Sequence, residues 1–114
     1  MNSIVLKPWG SYQVIEEGKN FKVKKIIVKP KGQLSLQSHN YRSEHWVIVE
    51  GRAEVTVNEA IKILEANQSI VIPLKAKHRL ANNDENDLVV IEVWYGDILD
   101  EDDLTRYQDK YNRN

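Results

Sequence analysis

The chain contains no cysteine. No disulfide can staple it, and any metal it holds must be bound through nitrogen and oxygen donors. Charge of one sign is also missing: 16 Lys and Arg stand against 17 Asp and Glu, a formal net charge of -1. Nothing in that balance points to nucleic acid or to a membrane surface as a partner. No apolar run approaches the roughly 20 residues of a membrane span. The opening Met1-Asn2-Ser3-Ile4-Val5-Leu6-Lys7-Pro8 is too short and polar for a secretory signal. Internal repeats, low-complexity tracts and linkers are absent as well. The expectation is one domain over residues 1–114, located in the cytoplasm. A composition of 41% hydrophobic and 29% charged residues suits an ordinary globular protein, and a chain of this size can bury one core unaided.

Strand signals dominate what is present. Short apolar or alternating runs cover Phe21 to Val28, Leu34 to His39, His45 to Val49, Ala53 to Val57, Ile61 to Leu64, Ser69 to Ile72 and Leu88 to Trp94. Turn-forming clusters separate them, among them Lys29-Pro30-Lys31-Gly32, Glu50-Gly51 and Asn82-Asn83-Asp84-Glu85-Asn86. Many short strands at this spacing predict an all-β sandwich or barrel. One segment reads as helix. Asp102 and Asp103 are followed by Leu104, Tyr107 and Tyr111 at i, i+3, i+7, and acids at a helix start suit the macrodipole.

The three histidines are His39, His45 and His78. A single strand histidine is most often a hydrogen-bonded core or surface residue. Here Gln37 and His39 fall on one face of a strand, because strand side chains repeat every two residues. A turn at Tyr41-Arg42-Ser43 follows, and Glu44 opens the next strand. His78 comes after Pro73 and before Asn82.

That order resembles the two motifs of the cupin superfamily. Gly32, Gln37, His39, Glu44 and Gly51 match the first motif; Asn67, Pro73, His78 and Asn82 match the second. The chain departs from the pattern at Gln37, where a histidine is usual, and at Asn67 and Lys75, where glycines are usual. The resemblance implies a cupin (double-stranded β-helix, or jelly-roll) barrel with a short C-terminal helix. It also implies a divalent metal held by Gln37, His39, Glu44 and His78. Imidazole, carboxylate and amide donors suit zinc first, with manganese, cobalt, iron or nickel as alternatives.

A closer resemblance rests on Lys7-Pro8-Trp9-Gly10-Ser11-Tyr12, Leu34-Ser35-Leu36-Gln37, Glu44-His45-Trp46-Val47, Ile72-Pro73-Leu74 and His78-Arg79-Leu80. These segments look like the phosphomannose isomerase domain of type II mannose-6-phosphate isomerases, where it follows a mannose-1-phosphate guanylyltransferase domain. The resemblance implies a metal-dependent aldose–ketose isomerase taking mannose 6-phosphate to fructose 6-phosphate. The second reading is a cupin that binds a sugar or sugar phosphate without turnover, or acts as an accessory subunit. His39-Asn40-Tyr41 stands where the family has a run of histidines, which favours that second reading. No guanylyltransferase activity is expected, since no Gly-rich phosphate loop is present.

Isomerisation would need a base and fixed cations for the phosphate. His45 titrates near neutrality and is the candidate base; it neighbours Glu44, so regular alternation would turn it outward. Arg42, in the turn between the ligand strands, and Lys25, in a basic strand, are the candidate cations. Trp46 shares the parity of Glu44 and is expected inside. Core packing is the first expectation for Trp9, Trp46 and Trp94; the Trp9 segment is alternatively a contact for a homodimer, which the resemblance implies.

Overall fold

A computed structural model describes residues 3–113. Among these residues every regular element is a β-strand: β1 (Ile4–Lys7), β2 (Gly10–Glu17), β3 (Phe21–Val28), β4 (Leu36–Ser38), β5 (Arg42–Glu50), β6 (Arg52–Val57), β7 (Ala60–Glu65), β8 (Ser69–Ile72), β9 (His78–Ala81), β10 (Leu88–Gly96) and β11 (Thr105–Gln108). They form a six-stranded sheet in the order β1-β2-β3-β10-β5-β8 and a five-stranded sheet in the order β11-β4-β9-β6-β7. All pairs are antiparallel. The inner faces enclose one core, which is the expected all-β cupin architecture. No described helix is long and apolar enough to cross a membrane.

Register turns the core into layers. Inward positions of β3, β10 and β5 lie opposite one another: Val28 beside Leu88, Ile26 beside Val90 beside Ile48, then Lys24 beside Glu92 beside Trp46, and Trp94 beside Glu44. All of these are buried. Each strand therefore begins apolar at one end of the barrel and turns polar at the other, at the same level. The apolar layers, with Ile72 from the neighbouring strand β8 and Val55 and Leu80 from the facing sheet, form the hydrophobic cluster. The polar layers form the site.

The turns carry the motif positions. Gly51 has φ 86° between β5 and β6, a left-handed conformation that glycine adopts without penalty. Asn67 and Lys75 stand in the left-handed region as well, at φ 74° and 66°. The backbone shape that glycine usually serves is kept, and only Asn adopts it readily. Asn82 is fully buried. Its Nδ2 donates to the carbonyls of Val28, Lys29 and Asn86 at 2.9, 3.2 and 2.8 Å, and its Oδ1 accepts from the amide of Asp84 at 3.0 Å. It ties together the loops at the apolar end.

One expectation needs correction. The C-terminal helix is absent: Thr105–Gln108 is strand β11, paired with β4. β4 would otherwise present an open sheet edge, and satisfying that row of backbone groups outweighs a weak helical periodicity. The acids that suggested a helix start are used elsewhere. Asp103 accepts from the amides of Asn40 and Tyr41 at 2.8 and 2.9 Å, fixing the turn into β5. Trp9 packs inside, as expected of the tryptophans. It is 5% exposed and belongs to the core of its own chain.

Candidate metal centre

His39, Glu44 and His78 are all buried, and one donor atom from each lies within 4.8 Å of the others. His39 Nε2 is 3.1 Å from Glu44 Oε2, and His78 Nε2 is 4.0 Å from Glu44 Oε1. The other ring nitrogens face backbone carbonyls. His39 Nδ1 donates to Asp103 O at 2.7 Å, and His78 Nδ1 donates to Ala76 O at 2.9 Å. A carbonyl only accepts, so in the neutral rings the proton sits on Nδ1 and the Nε2 lone pairs face one another. That is the outer-shell arrangement that metal-binding histidines use. The donor set therefore fits a divalent metal.

The electrostatics agree with it. Burial lowers the His78 pKa, outweighing the opposing pull of Glu44, so the ring is neutral and able to ligate. Burial by itself would raise the Glu44 pKa. The hydrogen bond and positive charge that the histidines offer when they take up a proton, and the hydrogen bond with Glu92, instead hold it well below the usual carboxylate range. Glu92 moves the other way: burial, then the Glu44 charge and the hydrogen bond to it, push its pKa well above that range. The two carboxyls are thus pushed apart, Glu44 toward the ionised form and Glu92 toward the protonated one. Each carboxyl also receives an indole from two residues along its own strand. Trp46 Nε1 donates to Glu44 Oε1 at 2.9 Å, and Trp94 Nε1 donates to Glu92 Oε1 at 2.6 Å.

Arg42 is buried beside the cluster. Its Nε donates to Glu44 Oε2 at 2.9 Å and its Nη2 to His39 Nε2 at 3.1 Å, while the guanidinium lies 3.4 Å above the Trp94 ring. Gln37 lines the same cavity. Its Nε2 donates to Ser35 Oγ at 3.1 Å, leaving Oε1 as the atom for ligation.

His45 and Lys25 are placed elsewhere. Both side chains are exposed on the outer face of the six-stranded sheet, because strand alternation sends them opposite to Glu44 and to Ile26. The roles expected for them as base and phosphate cation are corrected accordingly. Lys24, one residue earlier, is the inward lysine. Its Nζ is 2.7 Å from Glu101 Oε2 and lies 3.9 Å from the Trp94 ring centre and 4.1 Å from that of Tyr12. Burial lowers its pKa against the opposing pull of Glu92 and Glu101. Lys24 and Glu92 had a signal in the sequence: each shares parity with apolar residues of its strand, Ile26 and Val28 for one, Leu88 and Val90 for the other. Glu101 and Arg106, which also line the cavity, had none.

Residues 1–109 match the model of the mannose-6-phosphate isomerase C-terminal family. The chain belongs to that family. Among curated relatives, the xanthan biosynthesis protein XanB of Xanthomonas campestris pv. campestris is 50% identical over 109 residues, covering 96% of this chain and 23% of that protein. The mannose-1-phosphate guanylyltransferase ManC of Salmonella typhimurium is 48% identical over 113 residues, 99% of this chain and 24% of the other. The family domain thus spans about a quarter of the length of these relatives. An RmlC-like cupin from Shewanella frigidimarina has the same fold, with a TM-score of 0.76, 20% identity, and coverage of 89% of this chain and 87% of that one.

These relatives correct the expectation of a free-standing mannose-6-phosphate isomerase. They bear the names of a guanylyltransferase and of a polysaccharide biosynthesis protein, and the chain covers only about a quarter of their length. The family domain belongs to enzymes, but isomerase activity does not follow for this chain.

Proposed function

We propose that this chain is a metal-binding cupin module that recognises a phosphorylated sugar and works beside a mannose-1-phosphate guanylyltransferase activity. The observation that carries the reading is the convergence of His39, Glu44 and His78 at an open cavity of about 100 Å³ whose wall includes Trp9, Trp46 and Trp94. Indole faces suit the C–H faces of a sugar, and the cavity cations suit a phosphate. The names of the relatives supply the sugar-phosphate class. His39 Nε2, Glu44, His78 Nε2 and Gln37 Oε1 would hold the metal, with zinc the first candidate. Bound there, it would act as a Lewis acid on a ligand oxygen. Trp46 would orient Glu44, and the two histidine–carbonyl hydrogen bonds would fix the rings. A homodimer is part of the same proposal. It is supported by the open edge strand β1, on which Ile4 and Leu6 are 62% and 80% exposed.

The test is metal analysis of the purified chain, followed by calorimetric titration with hexose phosphates before and after chelation. Near-stoichiometric divalent metal with chelator-sensitive binding is the expected result. Failure to take up metal under any loading condition would overturn the assignment of the three donors. Sedimentation of the chain and of a Leu6→Lys variant tests the dimer.

A further inference from the structure

Among the described residues, Arg106 lines the cavity without a carboxylate to neutralise it. Arg106 on β11 lies opposite Gln37 on β4, and Gln37 lies opposite His78 on β9. Directly opposed residues of antiparallel strands project to the same face, so these three side chains form one row along the inner wall. The row spans two strand spacings, roughly 10 Å between its end residues. His78 ends it at the metal centre and Arg106 ends it at the sheet edge.

The other charges of this region are paired. Glu44 is bound by Arg42 at 2.9 Å, Glu101 by Lys24 at 2.7 Å, and Asp109 by Arg113 at 2.7 Å. Arg79 projects to the opposite face from His78, where it donates to Gln108 Oε1 at 3.2 Å. Arg106 has no carboxylate partner among the described residues. Its Nη1 donates to the carbonyl of Arg113 at 3.3 Å. Its Nε is buried, with no hydrogen-bond partner among the described residues. A guanidinium has five N–H donors in a rigid fork. A buried donor left unpaired is costly, and the cost is removed when an anion arrives.

We infer that Arg106 is the anion anchor of this site, receiving the phosphate monoester end of the ligand while the sugar extends along the Gln37 row toward the metal centre. The inference rests on the sugar-phosphate reading proposed above and adds the residue that selects phosphorylated over unphosphorylated ligands. The fork of Arg106 matches two oxygens of a phosphate monoester.

Calorimetric titration of the metal-loaded chain with hexose phosphates and with inorganic phosphate, for wild type, Arg106→Gln and Arg106→Lys, tests it. Arg106→Gln is expected to weaken binding of both probes roughly ten- to a hundredfold, with metal content unchanged. Arg106→Lys should recover part of the loss, since it restores the charge without the fork. Wild-type affinity in Arg106→Gln would overturn the anchor while leaving the sugar-phosphate reading intact. Loss of metal together with binding would overturn it too, by making Arg106 structural. Absence of binding to the wild-type chain would remove both readings together.

Discussion

Arg42 Nη2 stands 3.1 Å from His39 Nε2, the atom through which His39 would hold a metal. The same guanidinium also reaches Glu44, so it spans two of the three donors. Its charge and its N–H groups occupy the place where a cation is wanted, and a metal must push it aside. Arg42→Met is therefore expected to destabilise the metal-free protein by about 3 kcal/mol, because Glu44 loses its buried partner. The metal-bound form should lose much less, and by linkage metal affinity should rise about tenfold or more. Urea unfolding with and without metal, together with chelator competition, measures both quantities. A fall in metal affinity would mean that Arg42 positions Glu44 rather than competing for it.

Glu92 gives a pH dependence of definite sign. Its folded pKa is raised above the unfolded value, by burial first and by Glu44 second. The folded state thus binds the proton more tightly, and the contribution of Glu92 to stability falls as pH climbs above about 4.3, the unfolded value. Glu92→Gln keeps the shape, keeps a donor for Glu44 and removes the titration. The variant should gain stability relative to wild type at pH 8, and the difference should shrink toward pH 4.5. Thermal unfolding at the two pH values checks it. An equal offset at both would show that Glu92 is not the proton carrier of the pair.

Much of this was legible in the sequence, and what was not has a physical reason. Strands with internal alternation, such as β6, or with continuous apolar runs, such as β8 and β10, announced themselves. So did the inward parity of Glu44 and Trp46. β9 did not, because His78-Arg79-Leu80-Ala81 is four residues long and mixes its faces. β11 did not, because Leu104, Tyr107 and Tyr111 satisfy a helical period while the open edge of β4 decides the outcome. The metal donors could be read because they fall on the motif positions of the cupin resemblance; strand alternation by itself paired only Gln37 with His39. Glu101 and Arg106 reach the cavity only through sheet closure, which brings residues far apart in the chain into contact; Arg42 meets the carbonyl of Asp100, 58 positions on, at 3.2 Å in the same way. Lys24 and Lys25 show how little separates the two cases. A shift of one residue exchanges a buried cation for a solvated one.

Asn82 separates the demands of the fold from those of the site. It lies at the apolar end of the barrel, away from the metal donors, and its amide satisfies three backbone carbonyls and one amide in full burial. Asn82→Ala orphans that group of backbone polar atoms at once, and should cost about 3 kcal/mol. Asn82→Asp should cost at least as much at neutral pH, because the carboxylate oxygen that replaces Nδ2 meets only carbonyl acceptors. Neither change touches a donor of the metal centre, so the fraction that remains folded should bind metal with wild-type affinity. Urea unfolding of the two variants, with metal affinity measured at low denaturant, tests both statements. A large drop in metal affinity without loss of stability would place Asn82 in the function of the site instead of in the closure of the barrel.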